Sequence, residues 1–355
     1  MIANMTMEIQ KIEKSRIDQV EWDNLGFGKV FADHMVVVEY HNGAWGTPKM
    51  LPYGPLHFSP AISALHYGQA IFEGLKAFKN DEGEVNVFRP EKNAERFNRS
   101  AERMCMPPLP EGLFVESIKQ LVAMDHAWIP KGEGESLYIR PHMFAIDEYV
   151  GVRPSESYMF VVFTCPVNKY YTGEVKVKIE PKYTRAAKGG TGHAKAAGNY
   201  GAALWPTKTA QDDGYNAILW TDAQTHEYLE ESGTMNVMFR AGNTIFTPEL
   251  SDSILDGVTR DSVLQVARDW GYNVEERKIS VFELIDLLRE NKLDEAFGAG
   301  TAATIAPIRT ILYQGVEYNL TECSTWDFAN KIGVYFDRLK RGLENDQHHW
   351  NCRIV

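Results

Sequence analysis

Residues 183–203 are the most unusual part of this sequence: Tyr-Thr-Arg-Ala-Ala-Lys-Gly-Gly-Thr-Gly-His-Ala-Lys-Ala-Ala-Gly-Asn-Tyr-Gly-Ala-Ala. Glycine and alanine allow a flat ligand to approach the backbone closely, and Lys195 among them is expected to be partly desolvated. Desolvation favours the neutral, nucleophilic amine, which can form a Schiff base. The pattern is also typical of a glycine-rich loop with a solvated lysine. Tyr200 is expected either to hydrogen-bond a cofactor oxygen or to be a half-buried packing residue, and His193 is predicted to be a loop residue.

Two other turns are predicted to bind an anion. Residues 255–259, Leu-Asp-Gly-Val-Thr, lead into a predicted helix over 259–270, whose first backbone N–H groups suit a phosphate. Thr259 is alternatively an ordinary N-cap. Residues 297–303, Phe-Gly-Ala-Gly-Thr-Ala-Ala, form a small-residue turn that can present N–H groups to phosphate or carboxylate, or is simply a tight turn.

Glu230 and Glu231 precede the predicted strand at 235–240. A buried glutamate that faces a pyridinium nitrogen would keep such a ring protonated. A solvated acidic turn is the alternative interpretation. No cluster of histidine, cysteine, aspartate and glutamate has metal-ligand spacing, so we expect no catalytic metal.

The chain is predicted to form two domains of α+β or α/β character. Residues 1–165 combine a hairpin around Asn42 and Gly43, a helix over 90–104 and buried strands. Residues 166–173 are predicted to be an interdomain linker. Residues 174–355 begin with a strictly alternating strand over 174–180 and are predicted to be rich in sheet.

Composition excludes several classes of protein. The 355 residues are 44% hydrophobic and carry a net charge of −11, which is typical of soluble proteins and lacks the basic footprint that nucleic acids or anionic membranes require. The four cysteines are far apart and predict neither a disulfide framework nor a zinc site. Residues 1–20 lack the hydrophobic region of a signal peptide, and the longest apolar stretch, 158–167, is too short for a bilayer. A cytoplasmic location is therefore expected.

Eight motifs follow one another along the chain: FGKVFADHM at 27–35, LHY at 65–67, FEGLKAF at 72–78, FRP at 88–90, YIRP at 138–141, GNYG at 198–201, GTMN at 233–236 and GTAA at 300–303. Together they resemble the branched-chain-amino-acid aminotransferases, pyridoxal 5'-phosphate (PLP) enzymes of fold type IV, in the longer form shared by eukaryotes and many bacteria. The resemblance implies a smaller N-terminal α/β domain and a larger, barrel-like C-terminal β domain with helices.

The resemblance also implies a role for each cofactor-binding residue. Lys195 matches the catalytic lysine, which binds PLP covalently and moves a proton between the substrate α-carbon and the cofactor. Tyr200 matches the tyrosine bonded to the phenolic oxygen, and Glu231 the glutamate paired with the pyridine nitrogen. The implied phosphate ligands are Arg96, Val258, Thr259 and Thr301. A guanidinium, a helix N-terminus and hydroxyl groups together suit a dianion.

The implied reaction is transamination of L-leucine, L-isoleucine and L-valine with 2-oxoglutarate, which gives branched-chain 2-oxo acids and L-glutamate. Thr234 and the N–H of Ala302 match groups near the substrate α-carboxylate, and Arg140 matches an arginine for the distal carboxylate of glutamate. The implied aromatic pocket consists of Phe27, Phe72 and Tyr138. Residues implied to reach the active site across a homodimer interface are Tyr67, Val150 and Val152.

Ala303 and Ala306 occupy the positions of a C-x-x-C redox pair in the mammalian forms, so no thiol switch is expected here. Two alternatives keep the cofactor. One is a related fold type IV enzyme, a D-amino-acid aminotransferase or aminodeoxychorismate lyase, against which the motifs at 138–141 and 300–303 argue. The other is a non-catalytic PLP carrier, against which Lys195, Tyr200 and Glu231 argue.

Overall fold

The computed structural model describes residues 6–169 and 173–354. Its α-helices are α1 (Ser63–Tyr67), α2 (Pro90–Arg103), α3 (Glu111–Met124), α4 (Ala197–Ala202), α5 (Leu204–Asp212), α6 (Val258–Asp269), α7 (Val281–Arg289) and α8 (Phe328–Lys340). Its strands are β1 (Glu8–Ile9), β2 (His34–His41), β3 (Ala44–Trp45), β4 (Lys49–Pro52), β5 (Ala70–Phe72), β6 (Leu75–Lys79), β7 (Val85–Phe88), β8 (Ser136–Ala145), β9 (Tyr158–Val167), β10 (Val175–Ile179), β11 (Ala217–Thr221), β12 (Leu229–Ser232), β13 (Met235–Ala241), β14 (Thr244–Thr247), β15 (Asn273–Glu276), β16 (Glu295–Gly300), β17 (Thr304–Tyr313), β18 (Val316–Asn319) and β19 (Asn351–Arg353).

The described residues divide into two units. The first takes in 6–169, 194–198 and 337–354, and the second takes in 173–193 and 199–336. The C-terminal residues therefore differ from the expectation that 174–355 form one domain, because β19 pairs antiparallel with β7. The predicted linker at 166–173 begins inside β9, and its residues 170–172 lie outside the described part of the chain.

In the first unit, ten of the described strands form one sheet in the order β1-β4-β2-β9-β8-β6-β7-β19, with β3 beside β2 and β5 beside β8. Side chains alternate between the two faces of a strand. Leu137, Ile139 and Met143 of β8 enter a core that also contains Phe97 of α2 and Phe114 of α3. The intervening side chains of β8 lie on the opposite face, which carries the candidate site residues.

Helix α2 forms where the spacing predicts it. Pro90 occupies the first turn, where its missing N–H costs nothing, and Ala94, Phe97 and Ala101 make a buried stripe at helical spacing. The ring of Phe97 lies 5.4 Å from that of Phe114 and 5.7 Å from that of Phe160. This packing fixes the rotation of α2, so that Arg96 is buried as well.

In the second unit, nine of the described strands form one sheet in the order β12-β11-β10-β17-β16-β13-β14-β15, with β18 beside β17. Strand β12 also pairs with β13, so that β10, β11, β12, β13, β16 and β17 close into a ring. This ring confirms the expected barrel-like β domain. The alternating strand β10 lies inside it, between β11 and β17.

The described residues contain neither a membrane-spanning helix nor a metal-binding cluster. Within residues 6–169 and 173–354 there is no helix with the length and hydrophobicity that crossing a bilayer requires. The same residues contain no group of three or more histidine, cysteine, aspartate or glutamate side chains arranged to hold a metal ion.

Candidate active site

Lys195 is held by its backbone against the first sheet. The N–H of Phe72 donates to the Lys195 carbonyl oxygen at 3.1 Å, and the N–H of Lys195 donates to Ser100 Oγ at 2.9 Å. Its Nζ lies 4.8 Å from the centroid of the Phe72 ring. Lys195 is therefore a half-buried amine on an anchored segment and not a solvated lysine on a loop.

Arg96 forms a buried, two-pronged ion pair with Glu73. Arg96 Nε donates to Glu73 Oε1 at 2.7 Å, and Nη2 donates to Oε2 at 2.8 Å. Asn93 Nδ2, one helical turn earlier, donates to Oε2 at 2.8 Å. Burial raises the pKa of Glu73, but the cations Arg96 and Lys195 and the bond from Asn93 outweigh it and lower that pKa overall. No role was predicted for Glu73 from the sequence, because its partner Arg96 is 23 residues away and no local pattern indicates the pair.

The predicted aromatic pocket residues come together around one guanidinium. Arg140 Cζ lies 4.6 Å from the ring centroid of Phe72 and 5.2 Å from that of Tyr138. Arg140 Nη2 donates to the Tyr138 hydroxyl at 2.9 Å, and Phe27 packs edge-on against Tyr138 at 4.9 Å. Arg140 Nε is buried and has no hydrogen-bond partner among the described residues. The arrangement suits a ligand with apolar and anionic parts.

Gly74 lies next to this pocket, and there is a steric reason for the absence of a side chain at this position. A Cβ atom at this position would lie 2.3 Å from the Tyr138 hydroxyl oxygen, a distance that real Cβ atoms do not adopt. Glycine at this point of the Phe-Glu-Gly motif therefore makes room for Tyr138.

Tyr67, Val150 and Val152 lie on an exposed surface. They are 41%, 69% and 89% exposed, respectively. The segment before α1 and the one after β8 are joined by a bridge between Ile62 and Glu148. These three side chains are thus candidates for contact with another molecule.

In the second unit, both glutamates of the predicted acidic turn are buried. Glu230 is 7% exposed and Glu231 is 4% exposed, because β12 lies between β11 and β13. Of the two alternatives in the sequence, the solvated acidic turn is therefore wrong. Glu231 Oε1 accepts from Asn236 Nδ2 at 3.1 Å and from the N–H of Leu255 at 3.0 Å.

Arg185 is the third partner of Glu231. Its Nε lies 2.7 Å from Glu231 Oε2, and its guanidinium also donates to the carbonyl oxygens of Gly192 and Ser253. Arg185 stands in the first quoted stretch, but the sequence analysis gave it no role. A buried carboxylate that stays charged requires a cation nearby. This requirement was the one signal in the sequence that could have pointed to Arg185.

Glu230 points away from Glu231, as alternation along a strand requires. The hydroxyl of Ser253 donates to its Oε1, whereas Oε2 is buried without a hydrogen-bond partner among the described residues. Burial raises the pKa of Glu230 to about 7. The two adjacent carboxyl groups therefore have different environments.

The first predicted anion turn is a helix N-terminus. Helix α6 begins at Val258 with Gly257 as its N-cap residue. Thr259 lies inside the helix and is buried, so the alternative of an N-cap threonine is wrong. A Cβ on Gly257 would come within 2.0 Å of Asn236 Oδ1. The N-terminus of α6 thus packs directly on the residue that donates to Glu231.

The remaining predicted residues lie at turns or on a short helix. Thr301 and Ala302 form the turn between β16 and β17, whose last pair is Gly300 and Thr304. Thr234 is exposed at the turn between β12 and β13. Tyr200 is half-buried in α4.

The family model and the known proteins that match this chain agree with one another. The model of the family described as amino-transferase class IV matches residues 70–311. The "Branched-chain-amino-acid aminotransferase 2" of Bacillus subtilis is 40% identical over 357 residues, which cover 99% of this chain and 98% of that protein.

Two solved structures are similar over most of the chain. A branched-chain aminotransferase of Thermoproteus uzoniensis with norvaline has a TM-score of 0.76 at 25% identity and covers 91% of this chain and 100% of its own. The fold is also that of the branched-chain amino acid aminotransferase from Thermobaculum terrenum in its PLP form, with a TM-score of 0.72 at 21% identity over 90% of this chain and 98% of that one. The chain belongs to the class IV aminotransferases and, within them, to the branched-chain-amino-acid aminotransferases.

Proposed function

We propose that this chain uses PLP to transfer the amino group of L-leucine, L-isoleucine or L-valine to 2-oxoglutarate. The observation that carries the proposal is the 40% identity, over 99% of the chain, to a branched-chain-amino-acid aminotransferase. The buried residues described above provide the groups that this chemistry needs.

The residues fit the cofactor. Glu231 is a buried carboxylate with a cation and two further donors around it, and such a group suits a protonated ring nitrogen. Helix α6 begins at Val258 with Gly257 as its N-cap, and the first backbone N–H groups of a helix suit a phosphate. We assign the phosphate to Arg96, Val258, Thr259 and Thr301, and the phenolic oxygen to Tyr200.

PLP, when bound, supplies an aldehyde that condenses with the substrate amine and a ring that withdraws electrons from the α-carbon. Lys195 holds the amine that would take the proton from the substrate α-carbon and give it to the carbon that carried the aldehyde of the cofactor, as a general base and then a general acid. Glu231 keeps a proton on the ring nitrogen, because a buried carboxylate stabilises the adjacent positive charge. Two backbone hydrogen bonds to Lys195 limit the positions that its amine can reach.

The pocket explains how one site takes two kinds of side chain. Phe27, Phe72 and Tyr138 provide an apolar wall for a branched aliphatic chain. Arg140 is stacked on two of these rings and can pair with the distal carboxylate of 2-oxoglutarate or glutamate. Thr234 and the N–H of Ala302 are assigned to the α-carboxylate.

The active form is proposed to be a homodimer that shares its active sites. Leu65, Tyr67, Val150 and Val152 give the first unit a large exposed apolar surface, and such surfaces are typical of protein interfaces. Tyr67, Val150 and Val152 are assigned to the substrate pocket of the partner subunit. Val152→Asp should lower the dimer fraction in light scattering and reduce activity together, whereas an active monomeric variant would contradict the shared site.

The four free thiols agree with the cytoplasmic location that we propose.

The activity is tested with a panel of amino acids. Purified protein loaded with PLP should form L-glutamate from 2-oxoglutarate with L-leucine, L-isoleucine and L-valine. Transfer from D-alanine and none from L-leucine would indicate the D-amino-acid aminotransferase alternative. Cofactor binding without transfer from any amino acid would indicate a carrier protein.

A further inference from the structure

Glu73 connects the lysine segment to the helix that carries Arg96. The N–H of Phe72 donates to the Lys195 carbonyl, and the next N–H along the chain, that of Glu73, donates to the Pro141 carbonyl at 2.7 Å. Its side chain then reaches α2, where it pairs with Arg96 and accepts from Asn93. Phe72 and Glu73 together thus contact the Lys195 segment, β8 and α2.

The ion pair of Glu73 and Arg96 is so deeply buried that a contribution to folding stability does not by itself explain it. The side chain of Glu73 is 0% exposed and that of Arg96 is 5% exposed. Desolvation of two buried charges costs about as much as their attraction returns, so a buried ion pair is weak evidence for a stabilising role. The pair engages Nε and Nη2 of Arg96 and thereby fixes the plane and direction of the guanidinium.

We propose that Glu73 is a positioning residue of the amino-transfer site, which fixes the orientation of Arg96 toward the cofactor phosphate. The inference rests on the proposed function, because it concerns the arginine assigned to that phosphate. The charge and the length of the Glu73 side chain can be changed independently, so each can be tested.

The charge is tested by Glu73→Gln, which keeps the shape of the side chain and removes its charge. Arg96 then loses its charged partner and its fixed orientation, so the Kd for PLP should rise by roughly tenfold or more. The Kd for pyridoxal, which lacks the phosphate, should change by less than about twofold. Glu95→Gln, at a carboxylate on the same helix whose side chain is 41% exposed, should leave both Kd values unchanged.

The length is tested by Glu73→Asp, which keeps the charge. The shorter side chain cannot reach both Arg96 nitrogens in the same geometry, so the Kd for PLP should again rise by roughly tenfold or more, while the Kd for pyridoxal changes by less than about twofold.

An unchanged Kd for PLP in either Glu73→Gln or Glu73→Asp overturns the positioning of Arg96, and equal losses for PLP and pyridoxal show a purely structural role. Thermal unfolding of each variant checks that it is folded. If Glu73→Gln does not fold, Glu73→Asp alone decides. A wild-type protein with no visible cofactor band or no amino transfer contradicts the proposed function instead, so the two failures are distinct.

Discussion

Arg185 and Glu231 form a buried ion pair, with Arg185 Nε 2.7 Å from Glu231 Oε2 and side-chain exposures of 9% and 5%. The same guanidinium donates to the carbonyl oxygens of Gly192 and Ser253. Arg185 therefore ties the glycine-rich stretch to the loop before α6 while it neutralises the carboxylate assigned to the cofactor ring.

Replacement of Arg185 should impair both stability and catalysis. Arg185→Gln leaves Glu231 buried without its cation, and the free energy of unfolding should fall by about 3 kcal/mol. Because Glu231 also loses its orientation, kcat should fall roughly 10- to 100-fold in the folded variant. Steady-state kinetics and thermal unfolding measure these effects. Arg289→Gln, at a side chain that is 63% exposed, is the control, and a kcat within about twofold of wild type in Arg185→Gln would argue against the assignment.

Glu230 should make stability depend on pH. Burial raises its pKa from 4.5 to about 7, so the folded state binds the proton more tightly than the unfolded state. The protein is then stabilised by protonated Glu230 at low pH, and this stabilisation is lost as the pH rises from about 4.5 to 7. Glu230→Gln mimics the protonated acid and should raise Tm by roughly 3 °C at about pH 8.

At about pH 5 the same variant should melt within about 1 °C of wild type. Calorimetry at the two pH values measures the difference. An equal Tm change at both pH values would show that Glu230 does not titrate in this range.

Arg140 should matter for the dicarboxylic substrate more than for the aliphatic one. Arg140→Gln removes the guanidinium stacked on Phe72 and Tyr138 but keeps the apolar wall. The KM for 2-oxoglutarate should rise by about tenfold or more, as expected for the loss of a charge-assisted hydrogen bond. Single-turnover reaction with L-leucine should change less than about threefold. Tyr138→Phe, which removes only the hydroxyl that Arg140 contacts, is the matched control. Equal losses with both substrates would contradict the specific role.

Local patterns predicted most of the fold. The helix predicted over 90–104 is α2, which ends at Arg103. The turn at Asn42 and Gly43 connects β2 and β3 as expected. These elements depend on spacing within a few residues. Strand β19 was not predicted, because three residues at the C-terminus have no pattern of their own and become a strand only by pairing with β7.

Residues of the candidate site were predictable where a single short segment of the sequence identifies them. Lys195, Glu231 and the start of α6 stand in recognisable motifs. Glu73 and Arg185 were missed because each is defined by a partner 23 or more residues away, Arg96 and Glu231 respectively. An ion pair between distant residues leaves no periodic signal in the sequence.

The central claim is that the Lys195 amine binds the cofactor and moves the proton. The most direct measurement compares the visible spectrum of the PLP-loaded wild type with those of Lys195→Ala and Lys188→Ala, two lysines of the same glycine-rich stretch. We expect Lys195→Ala to lose the absorbance of the lysine-bound cofactor and at least about 10³-fold in kcat, while Lys188→Ala keeps both. An unaltered spectrum in Lys195→Ala would contradict it.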